Sequence, residues 1–302
     1  MTMNCDHPCK KPTINLPIRG IGLTIDDADL VSREEVEEMI REAVEEVRCR
    51  CEVRTRVSED LHVYVDGKLT EAGNGLSPET AVTSVEEAWA VIGRYDGCNE
   101  FNVYLHLADL EADDRYPDIN VFGSSMATFK RLYITGNSYQ STRTGSITVN
   151  SGAYVFVMEV QARGVFASNS FVALRRIGVS DPVHHAIDAS WGGVITFSGG
   201  GEINIYPGTY NTIFRSAYNG HIYCGSSDSK LNILGAVTCS NAFAAAYAQG
   251  GISLGRGLAI TGGSSVSGKK YASDYMAMVK SQVALPGTQN GTATNGGGFY
   301  NS

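Results

Sequence analysis

Three stretches of this chain can be laid over one another in register: Ala186–Ile205, Ile213–Ile233 and Ala242–Ile260. Ile187, Phe214 and Phe243 fall together at gaps of 27 and 29, and so do Trp191, Tyr218 and Tyr247. Gly193 and Gly220 match, and Gly251 follows after one extra residue. A third column runs through Ile203/Ile205, Leu231/Ile233 and Leu258/Ile260, and Ile177/Val179 extend it backwards by 26. A repeated unit of this length cannot bury its apolar side alone, so units must stack. The leucine spacing and the asparagine of a leucine-rich repeat are missing, and there is little helical periodicity inside a unit. Each unit reads instead as two or three short strands separated by Gly, Ser and Asn turns. The pattern predicts an all-β solenoid, a parallel β-helix in which like residues lie above like and alternate side chains fill a dry shaft.

The composition agrees with many tight corners: 34 of 302 residues are glycine, against a usual share of about 7%. A net charge of −8 argues against a nucleic-acid partner, which needs a basic stripe, and suits a neutral or sugar-like ligand. No apolar run approaches the roughly 18 residues of a membrane span, so no membrane insertion is expected. The opening MTMNCDHPCKKP has no apolar segment, so no secretory leader is expected.

Seven cysteines are present. Cys98, Cys224 and Cys239 fall inside strand or turn patterns and are expected as buried small hydrophobes. The other four form two groups, Cys5-x3-Cys9 and Cys49-x-Cys51. With His7 they would make a thiolate-rich metal site if the two groups met in space. Free thiols and an interchain disulfide are the other readings, and no cofactor is expected.

Five regions follow along the chain. Residues 1–28, with Pro8, Pro12, Pro17, Gly20 and Gly22, read as an irregular arm. Residues 29–58 read as a helical stem. Ser32 and Glu35 form a capping box, and Val36, Ile40, Ala43 and Val47 form an a/d stripe. So short a helix is marginal alone; it is either docked on its own domain or, the preferred reading, paired with copies of itself in a coiled-coil stem. Residues 59–108 read as a cap: a strand at Leu61–Asp66, a Gly-rich turn, a helix over Glu79–Gly93 and a strand at Phe101–Leu107. An open solenoid end needs such a lid. Residues 109–267 carry the β-helix. Residues 268–302, rich in Gly, Thr and Asn, lack apolar periodicity and are expected to order only around a partner subunit.

The segment VYVDGKLTEAGNGLSPETAVTSVEEAWAVI, residues 63–92, resembles the opening of bacteriophage tail-spike and tail-fibre β-helix domains. Gly268-Lys-Lys-Tyr271, Leu285-Pro-Gly287, Gly291–Thr294 and Gly296–Tyr300 are similar to the C-terminal ends of such fibres. The resemblance covers residues 60–302. It implies a homotrimer of right-handed parallel β-helices on a short coiled-coil stem, located in the virion tail and made in the host bacterial cytoplasm. It also implies an N-terminal part docked on other tail or baseplate proteins and a distal part that contacts bacterial surface polysaccharide.

Such spikes are either adhesins or enzymes that cut polysaccharide. Glycoside cleavage needs two carboxylates about 5–9.5 Å apart, and equivalent positions on adjacent coils lie about 4.8 Å apart. The counterparts of Asp188 are Arg215 and Ala244, those of Glu202 are Lys230 and Gly257, and those of Asp181 are Pro207, Gly235 and Gly262. No column pairs two acids, so Asp188–Arg215 and Glu202–Lys230 are expected as surface ion pairs. Asp109, Glu111, Asp113, Asp114 and Asp118 lack the spacing of a calcium loop and read as an exposed acidic loop. His184 and His185 have no partner at a matching step, and His62 and His106 read as packed strand residues. No catalytic residue is therefore assigned. The Trp191, Tyr218 and Tyr247 column is the candidate site: a glycan-stacking stripe if it faces outward, a register-fixing ladder or intersubunit contact otherwise. The expectation is a fibre or spike that attaches to the bacterial surface. The alternatives are a polysaccharide depolymerase, hydrolase or lyase, with acids contributed across subunits, and a structural head or collar fibre that binds no receptor.

Overall fold

The structure, a computed structural model, describes residues 54–181, 184–197, 200–225 and 228–301. The alternating stretches LHVYV and VYLHL pair side by side, Leu61 with Val103 and Val65 with Leu107. The same pairing recurs up the chain to make three parallel sheets. The first has ten strands, from Leu61–Val65 to Gly298–Asn301. The second has eight, from Ile119–Phe122 to Thr292–Ala293, and the third five, from Gln161–Ala162 to Ala259–Thr261. From Tyr154 onward the chain visits the first, third and second sheets in turn, coil after coil, up to the strand Met278–Ser281. The architecture is all-β with long parallel sheets and no closed barrel, consistent with a β-solenoid.

One column of the first sheet points inward through Val63, Leu105, Ile134, Val157 and Leu174. All five are completely buried, each contributing about 1.5–3 kcal/mol. β-branched and leucine side chains on alternate positions suit a pleated strand whose other face meets solvent. The period is less regular than 26–29. Along this sheet it is 17 residues from Val155 to Val172, 30 from Ile222 to Ile252 and 20 from Val279 to Phe299. Coil length varies because the corners absorb the difference while the strands keep register.

The helix α1, Val85–Ile92, is shorter than expected. Pro78–Thr80 forms a 3-10 turn, and Val82 is drawn onto the rim of the first sheet, where its N–H donates to Tyr64 O at 2.9 Å and its carbonyl accepts from Asp66 N at 2.9 Å. The helix therefore starts only at Ser84, whose hydroxyl accepts from Glu87 N at 3.2 Å. Val85, Ala88, Val91 and Ile92 are buried in the common core, and the segment before the helix satisfies the otherwise open strand edge.

Residues beyond 268, expected to order only around a partner, carry strands of the same sheets at Met278–Ser281, Thr292–Ala293 and Gly298–Asn301. Their inward positions are small or apolar, as with Val279 and Ser281, both buried, which conceals the alternation from a hydropathy reading. Two of the three cysteines expected inside are there: Cys224 and Cys239 are buried, and burial pushes both thiols up to about 12. Cys98 is exposed, because it sits in a left-handed corner at φ 51°. The arm, the helical stem and Cys5, Cys9, Cys49 and Cys51 lie outside the described residues.

Candidate functional site

Where the second sheet hands over to the first, the chain turns through two left-handed residues. The pairs are Ser151-Gly152, Trp191-Gly192, Tyr218-Asn219, Ala248-Gln249, Tyr275-Met276 and Asn295-Gly296, with φ between 45° and 83°. The corners are stitched along the axis: Gly192 N donates to Tyr218 O at 3.0 Å, Asn219 N to Ala248 O at 3.3 Å and Gln249 N to Tyr275 O at 3.1 Å. Glycine and asparagine adopt this backbone with little strain; a bulky residue there costs about 1–2 kcal/mol. Yet at four of these positions the chain sets a large apolar or aromatic side chain and leaves it in solvent. Trp191 is 63% exposed, Tyr218 44%, Tyr275 60% and Met276 68%. Trp191 and Tyr218 stack at 4.2 Å between ring centroids, 11° from parallel. The candidate column thus faces outward, which removes the internal-ladder reading for these two rings.

Tyr247 is not part of it. Ser190, Ala217 and Tyr247 pair in one row, so Ala248 stands on the rung above Tyr218. The cause is a bulge. Tyr210 pairs with Cys239 but Thr212 with Ala242, so Ser240 and Asn241 together oppose Asn211. Every later residue of that strand is displaced by one: Phe214 faces Ala244 rather than Phe243, and Gly250 takes the place expected for Gly251, closing the same turn to Tyr247 O at 2.8 Å. Ile260 pairs with Leu231 rather than Ile233. The Tyr247 hydroxyl instead accepts from Asn241 Nδ2 on the same strand. Six extended residues would span about 20 Å, so the strand bends between Asn241 and Tyr247. Ala242 and Ala245, both fully buried, cluster with Ala272, and Tyr247 packs against them.

The ridge borders a cavity of about 570 Å3 lined by Trp191, Tyr218, Asn219, Ala248, Gln249, Tyr275 and Met276 with Gly192. A second, more apolar hollow of about 310 Å3 adjoins it between Tyr223, Met276 and Met278. Sequence reading missed Ala248, Tyr275 and Met276. Tyr275 was reachable: it lies 28 residues beyond Tyr247, between the spacings of 27 and 29 that join Trp191, Tyr218 and Tyr247.

A second aromatic stack was also missed. His62, Tyr104, Tyr133 and Phe156 occupy one outward column at the start of the first sheet, with successive centroids 4.7, 4.5 and 4.6 Å apart. Tyr64 stacks on His106 at 4.5 Å, and His62 Nδ1 and His106 Nε2 share a hydrogen bond of 2.9 Å. Burial, then the neighbouring His62, lower the His106 pKa to about 4. The alternation in LHVYV, VYLHL and RLYIT carried this signal at the polar-face positions. Here aromatic side chains zip the outer surface of neighbouring strands.

The charged candidates resolve differently. Asp188 meets Arg215 at 2.6 Å, but the carboxylate is only 10% exposed and the guanidinium 25%, so this is no surface pair. The Ser190 hydroxyl donates to Asp188 at 2.6 Å, and the Arg215 counterpart on the next coil is Ala245. Glu202 lies opposite Lys230 and accepts from Asn232 Nδ2 at 2.8 Å. His185 shares a hydrogen bond of 2.8 Å with Thr212 Oγ1; burial lowers its pKa to about 4 against the opposing pull of Asp188. The acidic loop is tied to its surroundings, its own Arg115 meeting Asp181 at 3.0 Å and its Asp113 lying 4.0 Å from Arg143. Among the described residues no three His, Cys, Asp or Glu side chains converge as metal ligands, and no paired register sets one acid opposite another. No family model, curated protein or solved structure matches this chain.

Proposed function

We propose that this chain is a bacteriophage tail fibre or short tail spike that attaches to bacterial surface polysaccharide through the aromatic corner ridge. In this reading three copies stand side by side as right-handed parallel β-helices, and residues 1–58 dock them on the virion tail. Right-handed crossovers are the overwhelming rule for parallel strands. The observation that carries the attachment reading is the exposure of Trp191, Tyr218 and Tyr275 on left-handed corners. Large side chains at strained, solvent-facing positions cost stability in the isolated chain, and strain held at a surface points to use there. Aromatic faces are the side chains that stack on sugars, and the net charge of −8 suits a neutral glycan better than a polyanion.

The test is adsorption. Purified full-length chain should coat host bacteria and block phage attachment, and Trp191→Ala with Tyr218→Ala should abolish both effects without changing the melting temperature by more than a few degrees. Undiminished coating by the double variant would remove the ridge from the site. The solution mass tests the assembly: three times the chain mass of 32.3 kDa is expected, and a monomer at micromolar concentration would defeat the trimer.

A further inference from the structure

The ridge lacks one rung. Between Asn169 and Asn295 the corner column runs Trp191, Tyr218, Ala248 and Tyr275, fixed in that order by the axial hydrogen bonds between their corners. One face of Tyr218 is covered by Trp191; the other looks toward Ala248, whose single methyl leaves the rung vacant, and Tyr275 stands on the next. Successive rungs of parallel strands lie about 4.8 Å apart, so Tyr218 and Tyr275 are separated by about 9.6 Å along the axis.

We propose that this vacancy is a one-ring slot for a neutral pyranose whose ring hydroxyls are all equatorial. The slot height decides among flat and puckered guests. Carbon contacts of about 3.5–4 Å on each side give a planar aromatic ring a best sandwich of about 7–8 Å. A chair is thicker, and fills the remaining space. Both faces of a gluco-configured chair carry only axial C–H groups, which suit the apolar walls on either side. An axial hydroxyl, as in a galacto-configured ring, would press an unpaired polar group against one aromatic face, which is costly. The equatorial hydroxyls would project outward around the rim, where Asn219 and Gln249 supply amide donors and acceptors at the cavity edge. The cavity of about 570 Å3 exceeds one sugar ring, so the neighbouring residues of a chain can continue over Trp191 on one side and Met276 on the other. The inference rests on the attachment reading above and specifies its ligand.

The experiment titrates the full chain with methyl β-D-glucopyranoside and with its galacto epimer, followed by tryptophan and tyrosine fluorescence. Saturation by the gluco sugar is expected, with the epimer weaker by about tenfold or more, the penalty for an unpaired hydroxyl. Ala248→Tyr supplies the missing ring on a backbone that Tyr218 and Tyr275 already tolerate, at φ 50° and 52°. It should fold as the parent does, with an unchanged melting temperature, and lose the sugar response. Equal binding of both epimers, or unchanged binding by Ala248→Tyr, would overturn the slot. If neither sugar binds while the chain still coats bacteria, the slot is wrong and the attachment reading stands. If the chain coats no bacteria, the attachment reading falls and the titration judges the slot alone. A lowered solution mass in Ala248→Tyr without any sugar binding would assign the vacancy to a second copy of the chain and overturn the proposal.

Discussion

Arg215 reaches one coil down the second sheet to hold the Asp188 carboxylate at 2.6 Å, and the Ser190 hydroxyl closes the other side of that carboxylate. The pair stands in a column that continues through Ala245 and Ala272, so the same position can be filled by a methyl group. Removing one partner leaves a mostly buried charge. Arg215→Ala is therefore expected to cost about 3 kcal/mol, the low end for a buried pair. The double variant Asp188→Ala/Arg215→Ala should lose less than Arg215→Ala alone, since it leaves no charge behind. Urea unfolding of the parent chain and these two variants measures this directly, and a double variant as unstable as the single one would show that the ion pair itself stabilises the coil.

Two half-buried imidazoles set the acid limit. His106 and His185 have folded pKa values of about 4, both chiefly through burial, against 6.5 for the free group. The depressed values mean that the unfolded chain binds more protons between pH 6.5 and 4. Stability is then complete above pH 6.5 and falls as the pH drops toward 4. Solvent reaches both rings, so the shifts are discounted to about 1 kcal/mol each. Thermal melts at pH 7 and pH 4.5 should show the fall, and His106→Gln with His185→Gln should flatten it. A profile unaltered by the double substitution would place the acid sensitivity on other groups.

The sequence carried the solenoid because inward columns such as Ile203 over Ile177 and Leu231 over Ile203 repeat at nearly constant spacing, and burial demands that they do. It did not carry the coil lengths, since corners are solvated and tolerate insertions. The bulge at Ser240–Asn241 is the clearest case. It has no hydropathy signature, yet it moved Tyr247 off the ridge and put Ala248 there. The ridge was legible as far as Trp191 and Tyr218, which share a coil spacing without an insertion. The His62–Tyr104–Tyr133–Phe156 stack escaped because it lies on the face of the strands where polar residues were expected.

Glycines at the corners separate close approach from conformational freedom. A Cβ at Gly220 would lie 2.0 Å from the Ala189 carbonyl oxygen, backbone against backbone, so neighbouring coils must part. A Cβ at Gly192 would meet nothing within 4 Å and suffers only its φ of +76°. Gly220→Ala should cost about 3 kcal/mol or more, and Gly192→Ala about 1 kcal/mol. At about 2–4 °C per kcal/mol for a chain of this size, calorimetry should find melting temperatures lower by about 6–12 °C and about 2–4 °C. Equal losses at the two sites would mean that the coils are less tightly stacked at Gly220 than the distances indicate.

The ridge should show stability and attachment moving independently. Trp191→Asn gives up the stack on Tyr218, worth about 0.5–1.5 kcal/mol, but asparagine is better suited than tryptophan to a corner at φ 51°, which returns about 1 kcal/mol. The two nearly cancel, so the melting temperature should hold within about 2 °C. Adsorption to host cells should nevertheless collapse, because the exposed face of the ridge is gone. Phe214→Ala provides the contrast. That ring is completely buried, so its loss should cost about 3–5 kcal/mol and reduce adsorption only in step with unfolding. An adsorption loss in Trp191→Asn that tracked its melting temperature would make the ridge part of the scaffold and leave the attachment surface to be sought on another face.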